Sequence, residues 1–281
     1  MSTKSLAVIG SGPSAMYTVK YVLKQIPSLK IDIFEKLSEP FGLVRFGVAP
    51  DHPEVKNVAH EFRDMLETNS NIRMHLNHHI TDLRDIRASH SAVLVGIGAQ
   101  GSKTIPSDFH PHQSARDFVL WYNGHPEGHR PEISAEKCGI VSIVGMGNVA
   151  LDVARLLSKK SDALSLLKKN GLTMEAIEWM TERQKAPHQK KVQIFARRGY
   201  PEAVFTNKEF RELLNVDGAV AVVNPSDLGE SFEEIARKVE KDRGKKRGLE
   251  ILERPVDIIR GISSAVFCRT THGVGYFSSK R

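Results

Sequence analysis

The stretch that decides the fold is Leu6-Ala-Val-Ile-Gly10-Ser-Gly12-Pro-Ser-Ala15. Four apolar residues read as a short buried strand that runs directly into a glycine turn. In the spacing Gly10, Gly12, Ala15 the first glycine allows the tight turn and the second lets the backbone approach a pyrophosphate. The third position needs a small residue for close helix–strand packing, and Ala15 serves; Ser14 lies just before it at the start of the helix. Met16, Val19, Val22, Leu23 and Ile26 then predict a helix that ends before Pro27. Ile31-Asp-Ile-Phe34 reads as the second strand, and the β-α-β order argues for a parallel sheet. Glu35 closes that strand twenty positions after Ala15. A carboxylate there accepts hydrogen bonds from ribose hydroxyls and repels a 2′-phosphate. The other reading of the same residues is a tight strand–helix turn without a ligand.

Working outward, Glu54 to Leu66 looks helical and Ala92-Val-Leu-Val95 reads as another strand. Between Ser102 and Lys137 the composition turns to Pro, Gly, His and Ser, which places a domain junction near its start. The expected domains are residues 1–105 and 106–281. The pattern then repeats: strand Ile140-Val-Ser-Ile-Val144, glycine turn Gly145-Met-Gly147-Asn148-Val149-Ala150, helix Leu151 to Ser158. A helix over Met174 to Gln184 precedes the strand Val192-Gln-Ile-Phe195. That strand ends in Arg197 and Arg198, where the first unit has glutamate. Guanidinium groups bind a 2′-phosphate bidentately and stack on adenine; the plainer reading is a surface basic pair. The 47 positions from Ala150 to Arg197 exceed the usual ~20, so the surplus is expected to loop out. The first unit thus fits a cofactor with an unmodified ribose, such as FAD, and the second fits NADP. One site of each kind implies hydride transfer from nicotinamide to flavin, chemistry the cofactors carry and the protein positions.

The 281 residues, 40% hydrophobic and 26% charged, are those of an ordinary folded protein of about two domains. No apolar run approaches the roughly 18 residues of a spanning helix. The N-terminus enters its first strand at once, leaving no room for a presequence. Two cysteines, Cys138 and Cys268, exclude a cysteine-ligated zinc or iron–sulfur site and a Cys-x-x-Cys redox pair. No metal is expected. The net charge of +7 is uneven: Arg237 to Arg247 carries seven basic and two acidic residues, suited to an acidic partner or to a solvated helix face. Interleaved aromatics are missing there, which argues against a nucleic-acid platform.

The run Pro40-Phe-Gly-Leu43-Val-Arg-Phe-Gly47-Val-Ala-Pro-Asp-His52-Pro-Glu-Val-Lys-Asn-Val58 resembles the signature of the adrenodoxin reductase (NADPH:ferredoxin oxidoreductase) family. Gly42 and Gly47 let the backbone lie close to a flat ring, and the apolar residues between them keep it dry. Ser114 to Gly124, Gly147 to Arg155, Ala196 to Gly199 and Phe205 to Glu212 also match, so the resemblance covers roughly residues 5 to 250. It implies an α/β fold of two Rossmann-like units with parallel sheets. The implied activity passes a hydride from NADPH to FAD, then single electrons to an acidic ferredoxin or adrenodoxin-type iron–sulfur protein. By the same resemblance FAD contacts fall on Ser14, Glu35, Leu43 and Ile80, and NADP contacts on Gly147, Asn148, Val149, Arg197, Arg198 and Glu209. His52 either lies near the flavin or is a turn histidine between Asp51 and Pro53. Lys208, Arg211, Arg237, Lys238 and Lys241 are the expected basic docking face.

The departures are specific. Ser14-Ala15 replaces the family's Ala-Gly, Ile97 stands where it has tyrosine, and Met146 where it has glutamine; Tyr200 to Val204 has drifted. Family members also return to the FAD domain after the NADP domain, with a Gly-Trp-containing segment that covers the flavin. Here the sequence ends at Ser278-Ser-Lys-Arg281. The expectation is therefore an FAD domain lacking its C-terminal part: a truncated reductase, a chain completed by a partner, or an inactive nucleotide-binding relative. The glutamate synthase small subunit carries cysteine clusters absent here. The resemblance places the chain in mitochondria, with the cytoplasm as the alternative.

Overall fold

The computed structural model describes residues 4–99, 101–102, 112–186, 191–196, 199–223, 231–252 and 263–269. Strand β1 (Ser5–Ile9) is flanked on both sides, by β2 (Lys30–Phe34) and β4 (Ala92–Val95), and β3 (Ile72–His75) completes the order β3-β2-β1-β4. All pairings are parallel, with Leu6 beside Ile31 and Ala92, and Ile31 beside Ile72. Helix α1 (Pro13–Gln25) starts with proline at its first turn, where a missing N–H costs nothing, and ends at Ile26 before Pro27. Its Ala15, Met16, Val19 and Leu23 pack on Val8, Ile31 and Ile33. The helix expected over Glu54 to Leu66 is two: α3 (Pro53–Lys56), following the short α2 (Leu43–Phe46), and α4 (Val58–Thr68), which buries Phe62 in the same core.

The opposite face of this sheet buries Ala7, Ile9 and Phe34 against Ile80, Leu83, Ile86 and Val93, with α5 (Arg84–Ser89) as cover. Asp32 lies buried on β2, held by Arg73 (2.9 Å), His75 (2.9 Å) and His90 (3.4 Å). Burial works against its charge, yet hydrogen bonds from His75, Arg73 and His90 together hold its carboxyl below the usual range.

The second sheet has the order β5-β6-β8-β7, again all parallel: β5 (Ile140–Val144), β6 (Lys191–Ala196), β8 (Ser263–Arg269) and β7 (Ala219–Val223). Helix α7 (Asn148–Ser158) buries Leu151, Val153, Ala154, Leu156 and Leu157. Among the described residues, much of the surplus between Ala150 and Arg197 is helical rather than looped out. It folds as α8 (Ser161–Leu166) and α9 (Met174–Arg183), because Leu164, Ile177, Trp179 and Met180 supply apolar faces that bury almost completely. Arg183 ends α9 inside the core, where its guanidinium donates to the carbonyls of Leu157, Gly139 and Lys191 at 3.1–3.2 Å. A charged group so buried is tolerated because several acceptors surround it.

The chain divides into two compact units, residues 1–129 and 130–281. Helix α6 (Ala115–Tyr122), capped by Ser114, belongs to the first. Asn123 at its end donates to the Phe46 carbonyl (3.1 Å) and accepts from Lys56 (3.0 Å), while His125 sits edge-on to Phe46. These bonds, with Lys36–Glu127 at 2.7 Å, pin residues 114–127 to the first unit. Composition marks the loop, whereas long-range hydrogen bonds decide which unit owns the helix after it. Among the described residues no helix is long and apolar enough to cross a membrane.

Candidate functional site

The two glycine turns repeat one geometry. The Gly10 N–H donates to the Phe34 carbonyl at 2.7 Å, and the Gly145 N–H donates to the Phe195 carbonyl at 2.8 Å. Both take positive φ, +92° and +123°, which side chains disfavour. Gly12 and Gly147 then cap α1 and α7, presenting unpaired first-turn N–H groups and the positive dipole end. Among the described residues a Cβ on Gly12 would meet nothing within 4 Å, and one on Gly147 only Val204, at 3.9 Å. Space of this kind in front of a helix N-terminus fits a pyrophosphate.

In the first unit the turn is enclosed. A Cβ on Gly96 would lie 2.9 Å from that of Ala15, so the small third residue and this glycine form one close contact. Phe41 and Gly42 have φ of +81° and +47°, and a Cβ on Gly42 would lie 3.1 Å from the Gly12 Cα. The Pro40–Val58 segment therefore lies directly on the glycine turn. Glu35 is buried; its Oε2 accepts from the Ser11 N–H (3.0 Å) and hydroxyl (2.6 Å), and its Oε1 from the Leu37 N–H (3.1 Å). Three of about four carboxylate acceptor positions are used, which leaves room for one ribose hydroxyl rather than two. Leu43 is 63% exposed beside Gly42, and Ser14 is exposed on the first turn of α1. Ile80 is half-buried against Ala7, Ile9 and Phe34. His52 is buried, and its carbonyl accepts the Val55 N–H at 3.1 Å, starting α3. Burial pushes the Lys56 ammonium down to about 8, helped by Arg45 and opposed by Asp51.

In the second unit Asn148 Oδ1 accepts the Thr206 N–H at 2.9 Å, fixing the loop before α10 (Asn207–Leu214) beside the turn. Val149 is 51% exposed and Met146 half-buried. Glu209 lies on α10 and accepts from Arg155 at 2.9 Å; Arg155 also holds Asp152 (2.7 Å) and Glu212 (3.5 Å). Burial raises Asp152 to about 6; Arg155 opposes this and Glu209 adds to it. Arg197 and Arg198 lie outside the described residues. Lys208, Arg211, Arg237, Lys238 and Lys241 are all exposed, the last three around the turn between α11 (Phe232–Val239) and α12 (Arg243–Leu252). Sequence reasoning missed Ser11, Phe41 and Arg155, whose roles come from hydrogen bonds across 24 to 54 residues or from backbone angle. For Ser11, a serine standing between the two glycines was the one signal the sequence offered.

Two parallel units, each with a strand–glycine turn–helix, define a protein of two dinucleotide-binding frames. No family model matches the chain. It is 37% identical over 260 residues to the mitochondrial NADPH:adrenodoxin oxidoreductase of Salvelinus fontinalis, covering 89% of this chain and 49% of that protein. The Homo sapiens counterpart is 37% identical over 265 residues, covering 90% and 50%. Among solved structures, Mycobacterium tuberculosis FprA in complex with NADPH superposes with a TM-score of 0.82 at 30% identity, covering 95% of this chain and 59% of that one. Over about nine-tenths of its length, then, the chain is similar to NADPH:adrenodoxin oxidoreductases. It spans about half the length of these curated relatives.

Proposed function

We propose that the chain is the dinucleotide-binding portion of an FAD-dependent NADPH oxidoreductase that delivers single electrons to a ferredoxin- or adrenodoxin-type iron–sulfur protein. The observation that supports this most is the repeated turn, Gly10/Gly12 and Gly145/Gly147, each with open space before a helix N-terminus. The bound cofactors supply the redox chemistry, moving a hydride from nicotinamide to flavin.

The protein's own groups bind and orient. First-turn N–H groups of α1 receive one pyrophosphate, and Glu35 Oε1 accepts a ribose hydroxyl at the end of β2. The α2 loop, packed on Gly12 through Gly42, offers exposed Leu43 as an apolar face for the flavin ring. In the second unit the α7 N-terminus receives the other pyrophosphate, with Asn148 and Val149 at its edge. Arg197 and Arg198 are assigned the 2′-phosphate, a role that rests on residue type and order. Glu209, bound to Arg155, shapes that pocket through α10. The exposed bases Lys208, Arg211, Arg237, Lys238 and Lys241 are assigned to the acidic partner. The mitochondrial setting that the relatives' names state is proposed for this chain as well.

The experiment is a visible spectrum of the purified chain with FAD, before and after anaerobic NADPH. A flavin spectrum that bleaches on NADPH is the expected result. A protein that is colourless once unbound FAD has been removed overturns the reading and leaves an inactive relative. The partner assignment is checked by Arg237→Glu, which should raise KM for an acidic iron–sulfur acceptor while NADPH-to-flavin reduction is unchanged.

A further inference from the structure

Ser11 stands between the two glycines of the first turn and is fully buried. Its hydroxyl is used in both directions: it donates to Glu35 Oε2 at 2.6 Å and accepts the Phe41 N–H at 3.1 Å. Its own N–H donates to the same carboxylate oxygen at 3.0 Å. Phe41 needs a holder, because φ of +81° is unfavourable for a residue with a Cβ and persists only where the surroundings impose it. One holder is its ring, packed in the core against Phe62; the other is the Ser11 hydroxyl. The chain of donors runs Phe41 N–H to Ser11 Oγ–H to Glu35. A hydroxyl has one proton, so the orientation that serves Glu35 turns its lone pairs toward Phe41.

We propose that Ser11 is a positioning residue that couples the ribose-accepting carboxylate of Glu35 to the Phe41–Gly42 turn, so that seating the ribose and setting the flavin-facing loop are one event. The proposal rests on the flavin reading above and adds to it a residue and a linkage. Glu35 has an acceptor position left on Oε1, while Oε2 is committed to Ser11. The ribose hydroxyl therefore meets a carboxylate whose rotation is fixed from behind. Gly42, next to Phe41, lies against Gly12, so any rotation at Phe41 moves the wall of the pyrophosphate cradle. Replacing Ser11 removes the hydroxyl and leaves both Glu35 and the Phe41 amide short of a partner.

The test compares wild type, Ser11→Ala, Glu35→Gln and the double variant. Without cofactor, the Phe41 amide should exchange at least ~10-fold faster in Ser11→Ala, at unchanged rates for amides of the second unit. FAD Kd should rise at least ~10-fold in Ser11→Ala, and the double variant should be little weaker than Glu35→Gln alone. A serine with a merely structural role would lower the melting temperature yet give additive effects on FAD affinity. Additive effects, or an unchanged Phe41 exchange rate, overturn the coupling while the flavin reading stands. A wild type that binds no FAD overturns the flavin reading and, with it, the ribose half of the proposal.

Discussion

The two units carry the same strand–turn–helix signature and the same glycine-to-carbonyl hydrogen bond, but they enclose it differently. In the first, β1 lies between two strands and four of its five residues are buried. The turn after it is gripped by Gly96, Gly42 and the Ser11–Glu35 pair. In the second, among the described residues, β5 has β6 on one side only, Ile140 and Val144 are more than half exposed, and a Cβ on Gly145 would meet nothing within 4 Å. The signature thus specifies a turn and a helix N-terminus. How rigidly the turn is held depends on what the rest of the chain packs against it. The second unit places its tight polar packing further back, in the Arg155 cluster on α7 and α10.

The largest effect is expected at that cluster. Arg155→Met leaves Asp152, Glu209 and Glu212 facing one another without their shared cation, and should cost about 4 kcal/mol. Denaturant unfolding that follows the second unit checks it, and a loss confined to the first unit would break the comparison. Next come the paired glycines. Gly10→Ala forces a Cβ to 2.5 Å from the Gly96 carbonyl oxygen at positive φ, whereas Gly145→Ala meets only the unfavourable φ. Expected losses are about 3 and about 1 kcal/mol. Equal losses by thermal unfolding would mean the two turns are equally enclosed after all.

Two titrations sharpen the contrast, because they run in opposite directions. Lys56, in the first unit, is pushed down to about 8 by burial. The folded state therefore binds fewer protons than the unfolded state between about pH 8 and the ordinary lysine range, and stability rises with pH there. The slope should amount to about 1.5 kcal/mol after allowance for partial exposure, and Lys56→Met should flatten it. Asp152, in the second unit, is raised to about 6, chiefly by burial. Its folded state binds more protons between the ordinary aspartate range and pH 6, so stability falls as pH rises through that window. Relative to wild type, Asp152→Asn should gain about 1 kcal/mol on crossing it, measured by urea unfolding at pH 4 to 8.

The strands and turns that carry the glycine signatures were legible, because an apolar run ending in Gly-x-Gly has few other conformations open to it. Ser5–Ile9, Ile140–Val144 and Lys191–Ala196 fall within a residue of expectation. Strand Ile72–His75 was not read: Ile-Arg-Met-His has one buried side chain and three that are not, too weak a pattern over four residues. Helix α9 was legible as Met174 to Gln184, whereas α8 was not read, because length alone was counted there although Leu164 was in view. At the sites, residue types named the turns and Glu35. They could not name Phe41, since nothing in a phenylalanine announces positive φ, nor the Asn148–Thr206 bond across 58 residues.

The strand order also sets a schedule for synthesis. Among the described residues the strands of the first sheet have all been made once Val95 has emerged, but in the second, β7 pairs with β8 alone, and β8 then joins β6. The second sheet stays open until Arg269 has been made, which at roughly 5–20 residues per second puts on the order of ten to thirty seconds between the last described strand of the first sheet and the last of the second. In the last part of that interval, from Val223 until β8 is made, β7 is a strand without a neighbour among the described residues, the point at which a chaperone has most to hold.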